Sequence, residues 1–402
     1  MSGLLAVDEA IARLLAGARP GDAETVPLAD AAGRVLAEPI KALRTQPPFP
    51  ASAMDGYAVR AGDVAHVPAR LTVTGMAAAG RLFPGTVGKG EAVRIFTGAP
   101  VPEGADTIAI QENVKKLDGD AIEVFETVAP NRHIRTVGLD FAESQPLLEK
   151  GRVLVAAALS LAAAANHPAL SVVRRPLVAI IATGDELLPP GSTPGPDQII
   201  ASNAYGVAAI AKEAGADVLD LGIAPDRVEA ISALATAAMD AKADVIVTLG
   251  GASIGDHDLV HSALTGLGME LGFWKIAMRP GKPLMFGRLG ATRCLGLPGN
   301  PVASLVCSYL FLKPLLAKLG GRPHGDNIVD AVLGAAMAEN DARRDYVGAS
   351  VSRTVSGLVA TPFPMQDSSM LKLLADAGGL VIREPFAPAA PAGDPCRLLL
   401  LR

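Results

Sequence analysis

Three short segments in the middle of the chain combine glycine, acid and proline in ways that suit chemistry on an oxyanion. Thr183-Gly184-Asp185-Glu186 follows the apolar run Val178–Ala182. Gly184 permits close backbone approach, and the adjacent acids are either oxygen ligands of the kind Mg²⁺ takes or capping groups of an ordinary turn. Gly250-Gly251-Ala252-Ser253-Ile254-Gly255-Asp256-His257-Asp258 follows Val245–Leu249. Its glycines leave amides free to cradle an anion around Ser253, and Asp256 and Asp258 could hold a cation or cap the next helix. Leu297-Pro298-Gly299-Asn300-Pro301 places an N-capping residue before a proline suited to a first helical position. Lys275, Arg279 and Lys282 lie between the second and third segments and carry the positive charge an anionic ligand needs. Together these features describe a pocket for phosphate-like anions with facing carboxylates.

Other segments are less specific. Ser52-Ala53-Met54-Asp55-Gly56-Tyr57-Ala58-Val59 sets an acid and a glycine between apolar positions, as a tight turn entering a strand would. Thr97–Pro102 and Val137–Asp140 are further glycine-bearing loops. His257 and His261 are four apart, but no H-E-x-x-H accompanies them, so zinc is not expected. The chain has no G-x-x-x-x-G-K-[ST] and the glycine loop is not G-x-G-x-x-G, which disfavours a P-loop or dinucleotide site. Trp274, the one tryptophan, reads as core or pocket wall.

Such loops work only if a sheet brings them to one edge. In an open parallel sheet, ligands bind beyond the carboxyl ends of the strands, where helix N-termini point. The middle third alternates strand and helix as that requires. Strands are expected at Val178–Ala182, Asp217–Leu221 and Val245–Leu249. Helices are expected from Ser202 to Ala214, over Val228–Met239 and Leu259–Leu267, and from Pro301 to Leu316. Further strands are expected at Phe273–Met278 and Cys294–Leu297. Residues 174–320 therefore form an α/β domain. Before it, helices are expected over residues 4–16, Ala29–Ala37 and Val153–Ala165, the last able to pack on the first two. Residues 1–45 and 144–173 form a helical linking domain around a β-rich insertion, 46–143, with a hairpin turning at Asp118-Gly119. Residues 321–402 form a small β domain with strands at Tyr346–Arg353, Gly357–Thr361 and Leu380–Arg383.

The composition fits a multidomain globular chain. It has 402 residues, half of them hydrophobic and 19% charged, far from the profile of disorder. The net charge of −5 disfavours general binding to nucleic acid or anionic membrane. The apolar run at Val153–Ala165 is too short to span a bilayer. Asp8 and Glu9 sit where a signal peptide would be apolar, and three cysteines without a C-x-x-C pair suggest neither disulfides nor a thiolate zinc site. The cytoplasm is the expected compartment.

Six segments in one order, Ser52–Val59, Thr97–Asn113, Thr183–Leu187, Gly250–Asp258, Arg279–Pro283 and Leu297–Val302, resemble the molybdopterin molybdenumtransferases, the MoeA-type proteins related to the E domain of gephyrin. The resemblance implies a four-part subunit with a molybdopterin-binding α/β domain, an inserted β domain and a C-terminal β-barrel, paired as a homodimer. It implies insertion of molybdate into adenylylated molybdopterin with Mg²⁺ and release of AMP. It also implies partners, namely the adenylyltransferase that supplies the substrate and the enzymes that accept the cofactor. The family's acids fall on Asp55, Asp140, Glu186, Asp226 and Asp258, its basic residues on Lys275 and Arg279, and its prolines on Pro298 and Pro301. Asp55, Asp140, Glu186, Lys275 and Arg279 are the implied catalytic set, and Asp55, Asp185, Glu186, Asp256 and Asp258 the candidate metal ligands. Thr97, Thr183, Gly184, Asp226, Gly250, Gly251, Ser253, Asp258, Lys282, Pro298, Gly299, Asn300, Pro301, Arg344 and Ser368 are the candidate substrate contacts. Asp55 would come from the partner subunit. Family members often have Gly-Ser after a glutamine in the last domain, whereas Gln366 here precedes Asp367-Ser368-Ser369. The alternatives are a non-catalytic pterin-binding scaffold or carrier, which would not require the acids, and a nucleotide pyrophosphatase, whose relatives lack the Ser52–Val59 domain.

Overall fold

A computed structural model describes residues 4–251, 258–323, 325 and 327–401. The chain divides into two compact units, one of residues 25–32 and 38–170, the other of residues 1–24, 33–37 and 171–402. The first helix, α1 (Val7–Leu15), belongs to the larger unit and buries Val7, Ala10 and Leu14 in the α/β core with Phe273, Ile276 and Leu315. Full burial of a side chain the size of Val7 or Leu14 contributes about 1.5–3 kcal/mol. The helix expected over Ala29–Ala37 is not formed. A single 3₁₀ turn, Leu28–Asp30, is followed by Gly33 at φ +69°, which ends any helical path, and by an extended segment in which Leu36 bridges Val172.

The smaller unit is built on a six-stranded sheet: β1 (Gly56–Val59), β2 (Ala69–Ala77), β3 (Glu91–Ile95), β4 (Thr107–Ile110), β5 (Val114–Lys116) and β6 (Ala121–Val124), in the order β4-β1-β3-β2-β6-β5. The expected hairpin at Asp118-Gly119 is β5 paired with β6, while β4 leaves that hairpin to pair with β1. Helix α2 (Ala156–Ala164) lies in this unit, its Leu161 and Ala164 against Ala42 and Phe141.

The α/β part of the larger unit contains β7 (Leu177–Thr183), α3 (Asn203–Glu213), β8 (Asp217–Ala224), α4 (Val228–Asp240), β9 (Val245–Leu249), α5 (Leu259–Gly266), β10 (Glu270–Trp274), β11 (Met285–Leu289) and β12 (Thr292–Leu297). The sheet order is β8-β7-β9-β12-β11-β10. The first four strands are parallel, as expected, and β11 and β10 extend the sheet antiparallel. Every residue of β9 is buried, the pattern of a strand covered on both faces.

After the sheet, α6 (Pro301–Cys307), a π turn (Ser308–Leu312) and α7 (Lys313–Leu319) form one 19-residue run. Pro314 cannot donate a backbone hydrogen bond to the preceding turn, and the ladder widens there. This run is longer than Val153–Ala165 and has the length of a membrane span, but 72% of its most apolar window is buried within the protein. It is a core helix, packed around Val306, Phe311, Leu315 and Leu316.

The C-terminal part closes five strands into a barrel: β13 (Ile328–Leu333), β14 (Arg344–Thr354), β15 (Gly357–Pro362), β16 (Gly379–Arg383) and β17 (Pro395–Leu400), with α8 (Leu371–Asp376) between β15 and β16. Pairing runs β14-β15-β13-β17-β16 and returns to β14. Met278–Arg279 of the α/β part adds a short parallel pairing to β14.

Gly56 faces Ala109 so closely that a Cβ would stand 2.1 Å from the Ala109 carbonyl oxygen. Gly56→Ala is therefore expected to destabilise the β1–β4 pairing by about 2–3 kcal/mol. Amide hydrogen exchange over 56–59 and 107–110 should accelerate, and unchanged protection would show that the strands can part at little cost.

Candidate functional site

The parallel strands are in register at their carboxyl ends. Ala182 pairs with Leu249, and Leu249 pairs with Leu297. The next residues, Thr183, Gly250 and Pro298, consequently emerge along one rim, and Thr183 also pairs with Ala224 at the end of β8. A cleft of ≈ 730 Å³ opens there. It brings together Thr183, Gly184 and Glu186 from the first loop, Gly250 and Gly251 from the second, Pro298, Gly299, Asn300 and Pro301 from the third, and Asp226. Gly184 at φ +149° and Gly250 at φ +94° hold conformations that side chains resist, and a Cβ on Gly250 would meet the Thr183 carbonyl at 2.8 Å.

Residues outside the sequence-derived set also reach this cleft, chiefly Ser202, Asn203 and Ser369. The Asn203 side-chain amide donates to the Gly299 carbonyl at 2.7 Å, tying the start of α3 to the third loop. A helix that follows a parallel strand begins at the carboxyl rim, so the topology alone could have placed Asn203 here. Ser202 precedes α3 but makes no side-chain cap. Asn300 also departs from its expected capping role, since its amide donates to Ser368 Oγ at 2.8 Å. Ser368 further accepts from the Val302 amide through its carbonyl, so the barrel loop itself covers the start of α6.

Two of the predicted acids, Asp185 and Asp258, are not in the lining of this cleft. Asp185 turns away from the cleft lining and accepts the Asp226 amide through Oδ1 at 3.1 Å. Asp258 caps α5, Oδ1 accepting the His261 amide at 2.7 Å, while its buried Oδ2 has no partner among the described residues. Burial pushes the Asp258 carboxyl above the usual range, against the His261 amide that favours its charged form. Ser253 and Asp256 lie outside the described residues, as does His257.

The positive charges sit elsewhere than the pattern suggested. Among the described residues, no lysine or arginine lines the strand-end cleft. A second cleft of ≈ 940 Å³, sharing the lip formed by Pro283, Pro298 and Asn300, is lined by Arg279, Lys282, Arg343, Arg383 and Ser368. Arg279 is already engaged, donating to Asp345 through Nε at 3.0 Å and to Asp341 through Nη1 at 3.2 Å. Lys275, at φ +75°, carries its ammonium 5.4 Å from the centre of the Trp274 ring, and it lines neither cleft. Arg344 is clamped by both oxygens of Asp8, at 2.6 and 2.9 Å, and by Glu384. Its neighbour Arg343 faces the cleft instead, and with its backbone and side chain it holds the Asp341 carboxyl at about 2. Asp367, the departure from the family pattern, is bound to the amide and hydroxyl of Ser369. The expected single pocket of amides and cations is thus two adjoining clefts. The first is lined by the strand-end loops with Glu186 and Asp226, and the second holds the cations beside Glu339, Asp345 and Asp367.

The remaining candidates are in the smaller unit. Asp55 Oδ1 accepts the Thr97 amide at 2.8 Å and the Thr97 hydroxyl at 2.9 Å, which hold the exposed carboxyl below its usual range. Asp140 lines a separate cleft of that unit. Among the described residues no group of three or more His, Cys, Asp or Glu is arranged to hold a metal ion.

Removing one of the two Thr97 donors should be visible in solution. Thr97→Val is expected to raise the Asp55 carboxyl toward 3.8 while the Thr97 backbone amide keeps it from rising fully. A carbon-detected titration of Asp55 checks this, and an unmoved midpoint would show that the hydroxyl contributes nothing.

Comparison with known proteins agrees with this geometry. Residues 5–166 match the family described as MoeA N-terminal region (domain I and II), 179–318 the probable molybdopterin binding domain, and 330–401 the MoeA C-terminal region (domain IV). Molybdopterin molybdenumtransferase of Bacillus subtilis is 35% identical over 405 residues, covering 98% of this chain and 94% of that protein. The Haemophilus influenzae protein of the same name is 36% identical over 350 residues, with 85% and 86% covered. The crystal structure of a molybdopterin biosynthesis MoeA protein from Pyrococcus horikosii superposes with a TM-score of 0.82 at 30% identity, covering 100% of both chains. With the barrel, the strand-end cleft and matches along nearly its whole length, the chain belongs to the MoeA family of molybdopterin molybdenumtransferases.

Proposed function

We infer that this protein inserts molybdate into adenylylated molybdopterin, releasing AMP and forming the molybdenum cofactor. The observation that carries the reading is the pair of clefts sharing Pro283, Pro298 and Asn300, one lined by the strand-end loops with Glu186 and Asp226 and no cation among the described residues, the other bringing Arg279, Lys282, Arg343 and Arg383 together beside Glu339, Asp345 and Asp367. A substrate with a ring system at one end and charged oxygens at the other can lie across that lip. The amides and side-chain dipoles around Thr183, Gly250, Asn203 and Asn300 would orient the pterin and nucleotide. Lys282 and Arg343 would receive the oxyanion, and Arg279 would share its charge between Asp345 and the substrate.

A phosphoanhydride at the strand-end rim needs positive charge that the described residues there do not supply. Mg²⁺ fits this requirement, because it is commonly held by one or two carboxylates together with substrate oxygens and water. Glu186 of the cleft lining would hold it, with Asp258, whose Oδ2 has no partner among the described residues, as the second carboxylate. When bound, the ion would offset the charge on the departing phosphate. Asp226 and Glu186 would fix water by accepting its hydrogen bonds. Asp55, held rigid by Thr97, and Asp140 would complete the site from a second copy of the chain in a homodimer, as the family resemblance implies. The three free cysteines, of which Cys294 and Cys307 are buried thiols, fit a reducing compartment such as the cytoplasm.

The test combines purified protein, adenylylated molybdopterin, Mg²⁺ and molybdate. AMP and molybdenum cofactor should appear together in equal amounts, and Glu186→Gln should slow both by about 10–100-fold. Pterin binding without AMP release would instead indicate a scaffold. AMP release indifferent to molybdate would indicate a pyrophosphatase.

A further inference from the structure

Residues 5–8 make two kinds of contact with the segments that carry the cations of the second cleft. The first is backbone pairing. The Leu5 amide donates to the Lys275 carbonyl at 3.3 Å, and the Ala277 amide donates to the Leu5 carbonyl at 2.7 Å. The same segment also meets the barrel, because the Arg344 amide donates to the Ala277 carbonyl at 3.0 Å and Met278 and Arg279 pair with Arg344 and Asp345. Residues 275–279 are thus held between Leu5 and the start of β14. The second contact is ionic. Asp8, in the first turn of α1, accepts from both Nη groups of Arg344 at 2.6 and 2.9 Å, while Glu384 accepts from its Nε at 2.7 Å. The Arg344 side chain is 18% exposed. An isolated surface pair contributes little, but a bidentate arginine in a network, mostly withdrawn from water, fixes direction as well as distance.

The residues beside this clamp are the ones that face the second cleft. Arg343 precedes Arg344, Arg279 follows Met278, and both line the cleft. Their guanidiniums converge on one atom, since Asp341 Oδ2 accepts from Arg279 Nη1 at 3.2 Å and from Arg343 Nη2 at 2.9 Å. The Asp341 side chain is 46% exposed, so water competes for this bridge and backbone placement must do the rest. We propose that Asp8 is a positioning residue for the second cleft. Through Arg344 it holds the start of β14 against residues 277–279, so that Arg279 and Arg343 present their guanidiniums side by side to an oxyanion. Asp8 lines neither cleft and acts on the substrate only through these residues. The proposal rests on the reading of this cleft as the oxyanion receptor. Asp8→Asn removes the charge with little change of size and leaves Glu384 as the one carboxylate on Arg344, which loosens the pairing at Ala277 and lets the two cleft arginines part.

Residue-resolved arginine modification with phenylglyoxal, read by mass spectrometry on the parent chain and on Asp8→Asn without substrate, tests the placement. Modification of Arg279 and Arg343 should quicken by about tenfold in the variant, the equivalent of one charge-assisted hydrogen bond. With adenylylated molybdopterin and Mg²⁺, the KM for molybdate should rise by a similar factor while kcat stays within about twofold, the mark of lost binding rather than lost chemistry. Asp8→Glu should restore both quantities. Glu9→Gln, which removes a carboxylate of the same helical turn whose partner Arg13 lies within α1, should alter neither. Unchanged modification of both arginines in Asp8→Asn would overturn the proposal, as would a fall in kcat at unchanged KM. A parent chain that releases no AMP in response to molybdate would contradict the reading of the cleft instead, and the modification rates would still decide whether Asp8 places the two arginines.

Discussion

The in-register parallel pairing of β7, β9 and β12 is the constraint on which the rest of the site depends. Because Ala182, Leu249 and Leu297 are aligned, three separate loops begin at one height on the sheet. A register change on any of these strands would exchange its buried and opposing faces and displace its loop from the rim. The strands are nearly continuous runs of buried apolar residues, and α3 and α4 pack on the sheet, so the register is specified by burial on both faces. The glycines at 184 and 250 then bring the backbone itself, rather than side chains, to the ligand.

Electrostatics divides the labour. A cleft that presents carboxylates and amides without nearby lysine or arginine cannot hold a doubly charged group by protein charge alone. The adjoining cleft mixes four cations with Glu339, Asp345 and Asp367, and its cations are partly restrained. Asp345 and Asp341 take up Arg279, while Arg343 is tied to Asp341. Such restraint keeps guanidinium groups oriented before a substrate arrives, reducing the ordering cost of binding. The Asp8–Arg344–Glu384 cluster anchors the first turn of α1 to the start of β14, directly after the cleft-lining Arg343.

Much of this was legible in the sequence because its signals are local. The β-branched runs at Val178–Ala182 and Val245–Leu249, the glycine turns after them and the Asn300-Pro301 helix start all found their places. What escaped reading depends on long-range partners. The sequence around Arg279 and Arg344 shows basic residues but not the acids that occupy them from 8, 341, 345 and 384. Residues 29–37 have helical composition, yet Gly33 and pairing with residues 171–173 draw the segment into extended structure. Asn203 and Arg343 carry no motif of their own and enter the site through topology. The antiparallel strands β10 and β11 extend a sheet whose alternating pattern suggested parallel strands alone.

The most direct measure of the central claim is amide hydrogen exchange of the full chain with and without adenylylated molybdopterin. Slowed exchange at 183–187, 249–251 and 298–301 together would show that the three strand ends act as one receptor. Protection confined to a single one of these loops, or absent from all three while the ligand is bound, would contradict it.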